Sequence, residues 1–185
     1  MRTAYRCDFR EPGLVDEWVA CKDGCMERNE VGRNEDDFGV IAWHEDGVWS
    51  VSQLAGTRDL SEIIEVLKGQ QTNGGAVALI SIDEEFFIIA RARGAELQVM
   101  LSDVTYSAEY DIAADVIDML DLPYPEEDDE PQPGGDIALL TDLGISAMEL
   151  ELMSDDLDLY PEEQITALAH RLGFGEQFDE IYDRQ

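Results

Sequence analysis

Basic residues are what this chain has least of relative to its acids: twelve Lys and Arg stand against 43 Asp and Glu, a formal charge of -31 on 185 residues. A surface this negative repels phosphate backbones and anionic membranes and attracts basic partners, over a Debye length of about 10 Å at ordinary salt. The balance argues against a conventional nucleic-acid binder. Cysteine is scarcer still: Cys7, Cys21 and Cys25 are odd in number and lie near the start, so reduced thiols are expected rather than a disulfide framework. No apolar run approaches the roughly 18–20 residues that span a bilayer. The opening MRTAYRCDFREPG has no stretch of signal-peptide type, and the expected location is the cytoplasm.

Motifs that carry chemistry are also missing. There is no G-x-S-x-G elbow, P-loop, G-x-G-x-x-G or H-E-x-x-H. Two histidines are few for acid–base catalysis; His44 at a strand end and His170 in the last turn of a helix read as structural or surface groups. Cys7, Cys21, Cys25 and His44 are of zinc-ligand type, but their C-x3-C spacing fits no common finger and ordinary thiols are the better reading. The run Glu126, Glu127, Asp128, Asp129 and Glu130, and the cluster Asp155, Asp156 and Asp158, do not match the EF-hand loop. They read as a solvated linker and a helix-capping region. Carboxylate pairs at glycosidase distances carry no information in a chain this acidic. No catalytic residue, cofactor or metal ligand is assigned.

What is present suffices for a core, since 44% of the residues are apolar. The charge is uneven: residues 1–33 hold six of the basic residues and have a net charge of -1, and the remainder carries -30. Between Phe38 and Leu54, two short runs rich in Val, Ile and Trp flank Asp46-Gly47, the signature of a type I′ hairpin. Asp59 and Glu62 stand at capping-box spacing before the stripe Leu60, Ile63, Ile64 and Leu67, which predicts a helix ending at Gly69. Strands are expected at Ala76–Ile82, Phe86–Ala90 and Glu96–Ser102, joined by connections so short that neighbours must be antiparallel. The nearly continuous apolar text of the first two predicts strands covered on both faces, or on one face with the other packed by a helix. A second helix is expected over Glu109–Leu120.

Residues 122–135, with prolines, five consecutive acids and Gly134-Gly135, read as a linker. Beyond it Asp136 is expected to cap a helix containing Leu139, Leu140 and Leu143, and Ser146 with Glu149 repeats the capping-box spacing. Pro161 opens the clearest helix, with Ile165, Leu168, Ala169 and Leu172 on its stripe and a stop at Gly173. A short amphipathic tail, Phe174–Tyr182, follows. The expected fold is α+β, a small antiparallel sheet packed with helices in β-β-α-β-β-β-α order, resembling profilin-like and roadblock-type domains. The expected organisation is an N-terminal extension, poorly ordered, over 1–37, a sheet domain over 38–121, the linker over 122–135 and a helical module over 136–185. If exposed, Trp43 and Trp49 beside the first hairpin are candidate partner anchors, and Glu126–Glu130 is the candidate acidic contact.

The segments LISIDEEFFIIARA, LSDVTYSAEYDIAADVIDMLDLP, the acidic linker, GGDIALLTDLGIS and DLYPEEQITALAHRLGFGEQFDEIYD together resemble the actinobacterial tRNA adenosine deaminase-associated proteins. The likeness covers about residues 38–182, is most specific in Leu159–Gln164 and Arg171–Phe174, and does not extend to residues 1–36. It implies a link to the enzyme that converts the tRNA wobble adenosine to inosine, and brings no catalytic residues with it. The chain is not that deaminase: it has neither H-x-E nor C-x-x-C, so three zinc ligands and a proton-shuttling Glu are not supplied. The expected function is a non-catalytic accessory protein that contacts tRNA adenosine deaminase or another basic protein. The alternative is a nucleic-acid mimic or general binder of basic proteins.

Overall fold

Side chains alternate across a strand, so a strand apolar at every position must be covered twice. The six-stranded sheet of this protein is built on that rule. The computed structural model describes residues 37–184 other than 71, 127 and 157, together with the backbone pairing of β1 (Trp18–Ala20) and β2 (Met26–Arg28), antiparallel with Trp18 opposite Arg28. Residues 1–32 form one compact unit and residues 33–185 another. Cys7, Cys21, Cys25 and the loose order expected of residues 1–36 lie outside the described residues. Asp37, assigned to the extension from sequence, is described and is a buried member of the sheet unit, accepting hydrogen bonds from Arg58 Nε at 2.6 Å and Thr57 at 3.2 Å.

The expected hairpin forms as β3 (Phe38–Glu45) and β4 (Val48–Gln53), with Glu45 opposite Val48. Asp46 and Gly47 take φ of 51° and 85°, the positive pair that a type I′ turn requires. After α1 (Leu60–Gly69), whose N-cap Asp59 accepts from Glu62 N at 3.1 Å, come β5 (Ala76–Ile82), β6 (Phe86–Arg93) and β7 (Glu96–Leu101). The strand order is β4-β3-β5-β6-β7-β8, where β8 is the pair Gly134–Gly135, and every neighbour is antiparallel. This is the α+β architecture read from the sequence.

One sheet face, with Ile80, Ile88 and Leu101, packs against α1 through Leu60, Ile63 and Leu67 and against α2 (Asp111–Met119) through Ile112, Val116 and Ile117. The opposite face, with Val40, Leu79, Phe87, Ile89 and Met100, is covered by α3 (Ala147–Ser154), α4 (Pro161–Leu172) and α5 (Gly175–Tyr182). Each fully buried Leu, Ile or Phe there contributes about 1.5–3 kcal/mol.

The stretch read as a linker is partly structural. Gly134 and Gly135 pair with Leu101 and Met100, Val104 N donates to Gln132 O at 2.9 Å, and Asp136 N donates to Val99 O at 2.9 Å. A Cβ on Gly134 would collide with Val104, and one on Gly135, at φ 95°, with the Val99 carbonyl. The glycines permit close approach to the sheet edge, and they do so where composition suggested flexibility. The second core layer is made jointly by strands within 38–101 and by residues within 139–178.

The helix expected after Asp136 is absent. Asp136 Oδ1 accepts from Ala138 N in a turn, and only a 3-10 turn, Thr141–Leu143, precedes the left-handed Gly144. Arg91 is the reason this segment sits where it does. Buried on β6 among the second-face residues, it donates to Leu139 O at 2.5 Å and forms a bidentate pair with Asp142, the Nη2–Oδ2 distance being 2.8 Å. A buried guanidinium requires such partners, and they fix the chain locally.

Candidate interaction surface

α3 differs from its neighbours in having apolar residues on two sides. In AMELELMS, Leu150 and Met153 are three apart and turn toward the core, whereas Met148 and Leu152, four apart, form a second stripe. That second stripe faces solvent, with Met148 71% and Leu152 65% exposed. Ser146 caps the helix by accepting from Glu149 N at 3.2 Å. At its other end the buried Gln164 of α4 donates to the carbonyls of Met153 at 2.8 Å and Asp156 at 3.0 Å, which holds the α3–α4 connection in place.

Because position 167 of α4 is only Ala, the two helices leave a groove of about 470 Å³ between them. Met148, Leu152, Met153, Leu159 and Ala167 supply its apolar lining. Arg171, the one cation of the lining among the described residues, pairs with Glu149, Nε to Oε1 at 3.0 Å. Leu159 is 40% exposed and the adjacent Tyr160 61%. Isolated exposed apolar residues are ordinary, but three gathered along one groove are not.

The groove shares Asp156, Leu159 and Gln164 with a second cavity of about 660 Å³, lined by Glu84, Glu85, Asp103, Glu130, Asp155 and Asp156 and, among the described residues, by no basic one. Five stretches of chain meet there: the β5–β6 turn, the segment after β7, residues 130–132, the end of α3 and the start of α4 with the residues just before it. Tyr106 donates to Glu85 Oε2 at 2.5 Å, and burial together with that bond pushes its phenol well above the usual tyrosine range. Beside the basin, burial raises the Glu162 carboxyl, and the charges of Glu84 and Glu163 add to the effect. Groove and basin together offer an apolar trough opening into a field of carboxylates, which suits a ligand both apolar and cationic.

The residues singled out from sequence are dispersed. Of the acidic run, Glu130 lines the basin. Glu126 and Asp129 line a separate cleft and bond each other, Glu126 N to Asp129 Oδ2 at 2.8 Å; Asp128 is exposed; Glu127 lies outside the described residues. Trp43 and Trp49 are half-buried on opposite sheet faces. Trp43 packs on the α1 side, and Trp49 lies with its ring 5.0 Å from both His44 and Phe174. Neither lines the groove or the basin. His170 bonds Asp179 at 3.0 Å. Among the described residues no three of His, Cys, Asp or Glu converge as a metal site, and no helix is long and apolar enough to cross a membrane. Sequence reasoning missed Met148, Leu152 and Leu159; the available signal was the double stripe of AMELELMS, which fits no single buried face.

A family model described as Rv3753c-like tRNA adenosine deaminase-associated protein matches residues 37–175. Protein Rv3753c of Mycobacterium tuberculosis (strain ATCC 25618 / H37Rv) is 36% identical over 155 residues, which cover 80% of this chain and 89% of that protein. No solved structure matches. The family match runs from the buried Asp37 through the strands, the Gly134-Gly135 edge and α3 into the start of α5, and on these grounds the chain belongs to the Rv3753c-like tRNA adenosine deaminase-associated protein family.

Proposed function

We propose that the protein is a non-catalytic accessory factor of the cytoplasm that acts by direct contact with tRNA adenosine deaminase. The observation that carries this reading is the apolar groove between α3 and α4, in a chain of net charge -31. An enzyme that binds tRNA carries basic surface, and an acidic partner is drawn to it. Charge alone gives attraction without specificity, and exposed apolar residues add the contacts that persist when salt screens the field. The absence of H-x-E and C-x-x-C from the sequence supports a role beside the enzyme rather than in its chemistry.

The test is a titration of the protein into a deaminase assay with tRNA at low and high salt, beside a direct binding measurement. The protein alone should leave adenosine unchanged, and with the enzyme it should bind and alter the rate. Absence of both binding and rate change at either salt would refute the reading. Binding that collapses steeply with salt and shows no preference among basic proteins would instead favour nucleic-acid mimicry.

A further inference from the structure

We infer that the α3–α4 groove is the docking site for a basic amphipathic helix of a partner protein; naming the deaminase as that partner rests on the function proposed above. Three features select this occupant. The trough is bounded by two helices, and α3 has eight residues, about 12 Å of helix. An occupant lying along it needs two to three turns with one apolar stripe. The apolar contacts offered are Met148, Leu152 and Leu159, and flexible Met and Leu side chains adapt to such a stripe.

The third feature is charge. Residues 147–160 contain five acids and no basic residue, the lining cation Arg171 is already paired with Glu149, and the adjoining basin adds Glu84, Glu85, Asp103 and Glu130. Lysines or arginines flanking the apolar stripe would meet Asp156 and the carboxylates of the adjoining basin, whereas an acidic helix would be repelled. A second copy of this chain brings its own -31 charge and is disfavoured for the same reason.

The experiment uses the full chain, its double variant Met148→Ser/Leu152→Ser, and two peptide probes of about 16 residues. One peptide carries leucines on a single helical face among lysines; the other has the same composition shuffled so that the leucines share no face. Both substituted residues are exposed, so the variant should keep the wild-type circular dichroism and melting temperature. Wild-type protein should bind the amphipathic peptide roughly tenfold more tightly than the shuffled one, and the variant should lose that preference. The variant should lose a similar factor for purified deaminase.

Equal binding of the two peptides, or a preference unchanged in the variant, would overturn the inference. Deaminase binding that is tight and identical for wild type and variant would overturn the groove assignment while leaving the accessory role intact. Peptide preference lost in the variant, with no binding of deaminase to either protein, would support the groove and sink the accessory role. A wild-type dimer in sedimentation that the variant breaks would assign the groove to a second copy and overturn the inference.

Discussion

The two faces of the sheet are covered by different strategies. On the first, α1 and α2 arise close in the chain to the strands they cover, and each carries one apolar stripe with a plainly marked start or stop. On the second, α3, α4 and α5 arrive after a long connection that first pairs Gly134 and Gly135 with β7 and then fastens residues 139–142 to Arg91. The large apolar residues that the first face leaves in solvent, Val48 at 65%, Val66 at 36% and Met119 at 39%, are scattered over separate elements, while the second gathers Met148 at 71% and Leu152 at 65% on one helix. A layer that only covers a core can bury each helix stripe completely. A layer that keeps apolar area in water does so at a cost in stability and solubility, which the docking role proposed above would offset.

The largest expected effect comes from asking whether the two layers share one core. Phe174→Ala on the second face and Leu67→Ala on the first should each lower the stability of a single cooperative transition, by about 3–5 and 2–5 kcal/mol. Urea unfolding followed by circular dichroism and by Trp fluorescence reads this directly. Two separated transitions, each moved by only one variant, would restore the sheet domain and helical module as independent units.

The next effect is confined to the second face. Arg91→Met removes the cation that holds Leu139 O and Asp142, and should cost about 2–3 kcal/mol, below the value for a fully buried pair because Asp142 reaches solvent. Arg93→Met, at an exposed position on the same strand, should cost no more than about 0.5 kcal/mol. The hydrogen bond from Arg91 holds the Asp142 carboxyl below its ordinary value of 3.8. Its contribution is therefore present above pH 3.8 and is lost as pH falls through the lowered folded value. Arg91→Met should flatten that acid limb; an unchanged limb would show that the pair does not act as described.

A smaller effect than that of Arg91 tests the path between the layers. Gly135→Ala forces a Cβ against the Val99 carbonyl at a positive φ and should cost about 1–2 kcal/mol. Limited proteolysis of the wild type should spare 132–136, and the variant should open there. A Gly135→Ala protein as stable and as resistant as wild type would mean that the edge pairing is dispensable.

By itself the sequence determined what local physics governs. Asp46-Gly47 specified its hairpin because few other pairs tolerate two positive φ angles, and the bounds of β5 and α4 followed from period and capping. The doubly covered sheet was legible in AVALISI. The acidic character and the missing deaminase motifs were legible as composition. Tertiary structure alone decided the rest: that Gly134-Gly135 is a strand and not a hinge, that Leu139, Leu140 and Leu143 do not form a helix, and which stripe of α3 meets water. It also decided that Glu130 joins Glu84 and Asp155 in one basin. These outcomes depend on groups far apart in the chain, such as Arg91 with Asp142 and Gln164 with Met153. Period and propensity register only near neighbours, whereas a buried charge or an unpaired carbonyl takes its partner wherever the fold brings one.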